Sequence, residues 1–255
     1  MSTLHVAGGF LEIDRIAPAR AGLPVLVFLH QGLGSMGLWR DFPRRLAAAT
    51  GCGAILYSRC GHGHSSPLTG PRGDDYLHHE ALVVLPEVLA AEGISEPVLI
   101  GHSDGASIAL IHAGDGRWPV RGLSAVAPHV LVEDVTVAGV RAARDTFMRT
   151  NMVERLARHH DDPRGIFLAW ADTWLRPSFR SWNIEDHLSG IRCPTLLIQG
   201  VEDEYGTLDQ LDRIERRVGG PVTRLDLCDC GHDPFRDQPV KMLQAHVAWL
   251  RTLIV

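Results

Sequence analysis

Gly101-His102-Ser103-Asp104-Gly105 constrains this chain more than any other stretch. An apolar run, Pro97-Val98-Leu99-Ile100, leads into it, and a helical run from Ala106 to Ala113 follows. The expected structure is a strand, a tight turn and a helix, with a serine at the apex. Such a turn lifts a hydroxyl above the sheet edge and holds its residue in strained backbone geometry. Small residues are then required two positions to either side, where Gly101 and Gly105 stand. In a chain with 26 glycines the pentad alone is a modest signal; the flanking strand and helix give it weight.

A serine hydroxyl is a poor nucleophile until a base, an orienting acid and an oxyanion hole act on it. Both partners follow in the order Ser, acid, His. Pro194 to Gly200 reads as a short buried strand, with Val201-Glu202-Asp203-Glu204 at its end. Val222 to Leu227 alternates apolar and polar residues as a half-buried strand does, and Cys230-Gly231-His232-Asp233-Pro234 comes next. Functional groups in open α/β sheets gather at the carboxyl ends of strands, where all three candidates fall.

These residues resemble the α/β-hydrolase superfamily from about Val25 to Leu253. The likeness is carried by His30-Gln31-Gly32-Leu33-Gly34-Ser35, the Ser103 pentad, Gly200-Val201-Glu202-Asp203 and Gly231-His232. Trp39 and the stretch Tyr57-Ser58-Arg59-Cys60-Gly61-His62-Gly63-His64-Ser65 are similar to the esterase and carbon–carbon hydrolase branch. The resemblance implies an eight-stranded, mostly parallel sheet with helices on both faces. Residues 1–127 and 188–255 form its core and residues 128–187 a helical cap. It also implies Ser103 as nucleophile, His232 as base and Asp203 as acid, the last chosen because it stands three residues after Gly200. One oxyanion N–H is expected from Asp104; the other comes from Leu33 if Gly32-x-Gly34 aligns with the family loop, or from Gly32 if His30 does. The Asp104 carboxylate is expected to serve the helix macrodipole and to point away from the reacting carbonyl. Gln31, His129, Phe147, Trp170 and Trp174 are candidate substrate contacts, with Met148, Met152, Phe167 and Trp182 as further aromatic and apolar stock. Arg59 is expected either to pin its own loop or to meet a substrate carboxylate.

Strands and helices alternate along the rest of the chain, the pattern of a parallel sheet covered on both faces. Leu4 to Ala17 reads as an edge hairpin turning at Gly8-Gly9, and Tyr76 to Ala91 as a helix kinked by Pro86. Only about Pro128 to His187 breaks the alternation: it contains no convincing strand. A net charge of -5 with no basic tract argues against nucleic acid, and no run approaches the ~18 apolar residues of a membrane span. The five cysteines lack framework spacing and read as reduced thiols of a cytosolic enzyme; no signal peptide is visible. His62-Gly63-His64, His78-His79 and Cys228-Asp229-Cys230 lack the paired spacing of structural zinc, so neither metal nor cofactor is expected. The expected activity is serine-dependent cleavage of a carboxylic ester or related acyl bond. Its substrate is a small, mainly apolar molecule with few fixed charges, and the enzyme a monomer or homodimer. The alternatives are a ring-fission carbon–carbon hydrolase, an enol-lactonase or thioesterase, and a ligand-binding receptor with little turnover.

Overall fold

A computed structural model describes residues 2–6 and 8–254. β1 (Ser2–Val6) and β2 (Gly9–Ile16) pair antiparallel, with Val6 opposite Gly9. β3 (Val25–Leu29) follows, then α1 (Phe42–Thr50), which Gly51 ends in a left-handed conformation at φ 77°. β4 (Gly53–Tyr57) is wholly buried, as its unbroken apolar run requires. The expected helix after β4 is divided. α2 (Tyr76–His79) passes through a wider-wound stretch, Glu80–Val84, before α3 (Leu85–Ala91). The widened turn lies just before Pro86, whose ring and missing N–H do not fit an unbroken α-helix.

β5 (Val98–His102), α4 (Asp104–Asp115) and β6 (Gly122–Val126) come next. Between β6 and β7 (Thr195–Gly200) lie α5 (Asp134–Arg149), α6 (Met152–Leu156), α7 (Pro163–Trp174) and α8 (Glu185–Leu188). α9 (Asp209–Arg217), β8 (Val222–Leu227), α10 (Pro234–Asp237) and α11 (Pro239–Arg251) complete the chain. The sheet order is β1-β2-β4-β3-β5-β6-β7-β8, and every pair from β4 onward is parallel. Two apolar layers flank it. One holds Val27, Leu99 and Ile108 and runs on into Phe147 and Phe167 of α5 and α7; the other holds Phe28, Ile100, Trp39 and Trp249. Parallel pairing brings the ends of β5, β7 and β8 to one edge of the sheet, and the helical segment between β6 and β7 packs over that edge.

Candidate active site

The backbone of Ser103 stands at φ 54° and ψ −118°, a conformation that an L-residue adopts only under constraint. The constraint is close packing of strand on helix. A Cβ on Gly101 would lie 2.3 Å from the Gly105 carbonyl oxygen, and one on Gly105 would lie 1.9 Å from that of Leu29. Both positions therefore need glycine. The hydroxyl is raised toward a second side chain: Ser103 Oγ lies 2.8 Å from His232 Nε2.

His232 Nδ1 is 2.8 Å and 2.9 Å from the two Asp203 oxygens. A carboxylate only accepts, so Nδ1 carries the proton and Nε2 is left to accept from Ser103. Asp203 is itself oriented: its Oδ1 accepts from the Tyr205 and Gly206 N–H groups and its Oδ2 from Gln199. Burial pushes Asp203 upward, but the His232 imidazole, helped by the Tyr205 N–H, outweighs it and holds the carboxyl below its ordinary value. Burial presses His232 downward; the Asp203 charge and hydrogen bond win, and its value is raised above 6.5. Glu202 and Glu204 do not take the acid's place. Glu204 Oε2 instead accepts the His232 backbone N–H at 3.1 Å.

The loop His30–Ser35 has its carbonyls drawn off by side chains from elsewhere. The Arg59 backbone N–H donates to His30 Nε2, so His30 Nδ1 donates to the Gln31 carbonyl at 2.8 Å. That carbonyl also accepts from Arg59 Nη2 and the Gly34 N–H. Arg59 thus pins the His30–Ser35 loop, where its own loop was expected. His62 Nε2 stands 3.0 Å from the Gly32 carbonyl. The Gly63 N–H donates to His160 Nδ1 at 2.9 Å, leaving Nε2 to donate to the Leu33 carbonyl at 3.1 Å. Among the described residues the Gly32 and Leu33 N–H groups meet no protein acceptor. The Asp104 N–H belongs to the first turn of α4, which no helix can satisfy internally. The residues that carry these unspent donors, Gly32, Leu33 and Asp104, line a cavity of about 460 Å³ beside Ser103.

Gln31, His129, Trp170 and Trp174 all line that cavity, with Leu38, Val140, Met152, Leu156 and Tyr205. His129 is held on both sides, by its backbone bonds to Ser107 Oγ and by ring contact with His232 (5.7 Å) and Trp174 (5.0 Å). Burial and the neighbouring His232 bring it down to about 4, so it is neutral.

Three expectations need correction. Phe147 does not line the cavity: it stacks on Phe167, ring centroids 3.8 Å apart, in the packing of α5 against α7. Met148 faces outward and is 60% exposed, because the helix turns it about 100° from the buried Phe147. The Asp104 carboxylate does not turn away to serve the dipole alone. Its Oδ2 accepts from Tyr76 Oη at 2.8 Å, Trp174 Nε1 donates to that hydroxyl at 3.0 Å, and Asp104 Oδ1 lies beside Gly32 of the His30–Ser35 loop. Sequence reasoning missed His160, Tyr76 and Tyr205, none of which stands in a motif. Among the described residues no group of three His, Cys, Asp or Glu side chains is gathered to hold a metal, and the five cysteines are free.

Residues 26–245 match the alpha/beta hydrolase family. The chain belongs to that family. Comparison with curated proteins finds no match in sequence. Among solved structures the chain is similar to VinJ, at 22% identity over 99% of this chain and 98% of that one, with a TM-score of 0.74. It is likewise similar to a thermophilic esterase from Thermogutta terrifontis (20% identity, 100% and 99% coverage, TM-score 0.72). An enol-lactonase from Burkholderia xenovorans gives 17% identity, 98% and 100% coverage and a TM-score of 0.75. At these identities the likeness is one of fold. Among the described residues no helix is long and apolar enough to cross a membrane.

Proposed function

We propose that the protein is a serine hydrolase that cleaves a carboxylic ester or related acyl bond of a small, mainly apolar molecule. The helical segment between β6 and β7 acts as its cap. The observation that carries this reading is the unbroken line from Ser103 Oγ through His232 to Asp203, with contacts of 2.8 Å and 2.8 Å, set under a cavity lined by unspent N–H groups.

The chemistry runs in two steps. Ser103 Oγ attacks the carbonyl carbon while its proton passes to His232 Nε2. Negative charge gathers on the carbonyl oxygen, where the Asp104 N–H and the Gly32 or Leu33 N–H receive it. As the bond to the leaving group breaks, His232 returns the proton to that group. Water then repeats the sequence on the acyl-enzyme, freeing the acid and Ser103. Asp203 stays ionised throughout and stabilises the imidazolium.

The test is twofold. A fluorophosphonate should label Ser103 and no other residue. A panel of p-nitrophenyl esters graded in acyl length, run beside a dienone ring-fission product and a thioester, should show ester turnover foremost. Labelling elsewhere, or tight ligand binding with no turnover of any member, would put the receptor reading in its place.

A further inference from the structure

We propose that the mouth of this cavity is a subsite for an anionic group, a carboxylate or phosphate carried at the far end of an otherwise apolar substrate. The inference rests on the hydrolase reading above and names its substrate class. Arg40, Arg155 and Arg158 line the same cavity as Ser103, yet all three are exposed while Ser103 is buried; they therefore mark its open side. They reach it from separate parts of the chain. Arg155 lies in α6 and Arg158 in the turn that follows it, and both line the cavity. Arg40 follows the short helix Met36–Trp39 that leaves the oxyanion loop. The two parts abut: His159 Nδ1 would lie 3.7 Å from a Cβ on Gly37. The charges of Arg158 and Arg40 add to burial in lowering the His159 imidazole, so all of these groups share one neighbourhood.

The other charged groups of the cavity are hydrogen-bonded elsewhere in the fold. Glu204 accepts from the His232 N–H, Asp233 caps the N–H of Arg236, Arg236 pairs with Asp237, and Asp104 takes Tyr76 beside Arg59. Some arginines outside the cavity sit among carboxylates, as Arg213 does between Asp209 and Glu185 and Arg224 among Asp212, Glu215 and Asp226. Arg40, Arg155 and Arg158 have no carboxylate within ion-pair reach among the described residues. Gathering like charges without a counter-ion is unfavourable, and an anion removes that penalty. Arg40 adds a further sign. Its backbone stands at φ 53° and ψ −128°, a region glycine enters freely and a long side chain does not. Guanidinium groups grip carboxylate and phosphate through paired N–H donors. Leu38, Met152 and Leu156 line the cavity with them, and the rings of Trp170 and Trp174 complete its walls. The ligand that matches is an ester with an apolar body and one anionic end.

Binding can be measured apart from turnover by calorimetric titration of the Ser103→Ala protein at low salt. The probes are dimethyl suberate, monomethyl suberate, and methyl 8-(phosphonooxy)octanoate. Either anionic probe should bind about tenfold or more tightly than the neutral diester. That ratio should collapse toward unity when Arg155→Ala and Arg158→Ala are added, and recover in part with Arg155→Lys and Arg158→Lys. Comparing the carboxylate with the phosphate arm identifies the preferred anion. Equal affinity for neutral and anionic probes overturns the proposal, as does a preference that survives both alanine changes with the melting temperature intact. Failure of the hydrolase reading shows differently, as an unlabelled Ser103 and absent turnover in the unaltered protein.

Discussion

The two sides of this site are built on different principles. On one side Ser103, Asp203 and His232 each stand just beyond a parallel strand, β5, β7 and β8 respectively. The sheet register alone carries them to a common edge. On the other side the loop His30–Ser35 takes its shape from side chains far away in sequence: Arg59, His62 and, from the helical segment, His160. The Ser103 side is scaffolded by backbone; the His30–Ser35 side is tied down by imidazole and guanidinium groups. Damage to the first should therefore remove chemistry outright, whereas damage to the second should degrade it by loosening a loop.

The largest effect belongs to the strand-end side. Ser103→Ala should lower ester turnover by about a thousandfold or more while leaving the melting temperature close to that of the parent. A variant that keeps most of its rate would end the comparison at once. Asp203→Asn should cost about ten-thousandfold in kcat at most, because an amide no longer fixes the Nδ1 tautomer. It also makes a statement about pH. His232 must be neutral to accept the Ser103 proton, so activity is lost as pH falls through its value. With Asp203 ionised that value lies above 6.5, and the acid limb of kcat/KM should lie above 6.5. Removing the Asp203 charge leaves only the weaker pull of Glu204 and Asp233 against burial, and the limb should move downward. A limb that stays in place would deny the coupling seen at 2.8 Å.

His160→Ala is the sharper probe of the other side. It leaves both the Gly63 N–H and the Leu33 carbonyl without a partner. The expected loss is about ten- to a hundredfold in kcat, with KM little changed, since the loop N–H groups matter most when charge has developed on the oxygen. A trifluoromethyl ketone, which forms such an oxyanion, should lose affinity in parallel, and His160→Gln, which can both accept and donate, should restore part of it. If kcat holds and only stability falls, His160 is a strut and not a positioning residue. Asp104 should give a smaller change. Asp104→Asn keeps an oxygen for Tyr76 Oη and should stay within about threefold in turnover; Asp104→Ala strands that buried hydroxyl and should destabilise by about 1–3 kcal/mol in urea unfolding. A larger fall in kcat than in stability would give the carboxylate a direct part in the reaction.

The same division explains what could be read from the chain. The Ser103 elbow, the Asp203 turn and the Gly231-His232 pair are each local: apolar strand, then functional residue, within a few positions. Strand order follows from alternation, so fold and strand-end residues were legible together. His160 was not, since its two partners lie 97 and 127 residues away and no periodicity links them. The Asp104 side chain was misread for a related reason. Its place at the start of α4 suggests a dipole role, but the buried Tyr76 hydroxyl that captures it comes from α2. Phe147 was misread because an aromatic residue in a helical insertion looks the same in sequence whether it faces a cavity or a neighbouring helix.

Phe147 supplies the last and smallest test, and it bears on where packing ends and recognition begins. Its ring lies parallel to that of Phe167 at 3.8 Å, and it is 2% exposed, whereas Trp170, one turn further along α7, lines the cavity and abuts Gly32. Phe147→Leu should lower stability by about 1 kcal/mol, the ordinary scale of a core change, with kcat/KM and acyl-length preference moving less than about twofold. Trp170→Leu should shift acyl-length preference by about tenfold, because a smaller side chain enlarges the cavity it lines, with a stability loss at least as large since its ring also packs on Phe167 and Tyr205. Were Phe147→Leu to change acyl preference as strongly, the stacked pair would have to count as the inner wall of the pocket. The boundary between the scaffold of α5 and α7 and the substrate's space would then run one helical turn deeper than the lining residues place it.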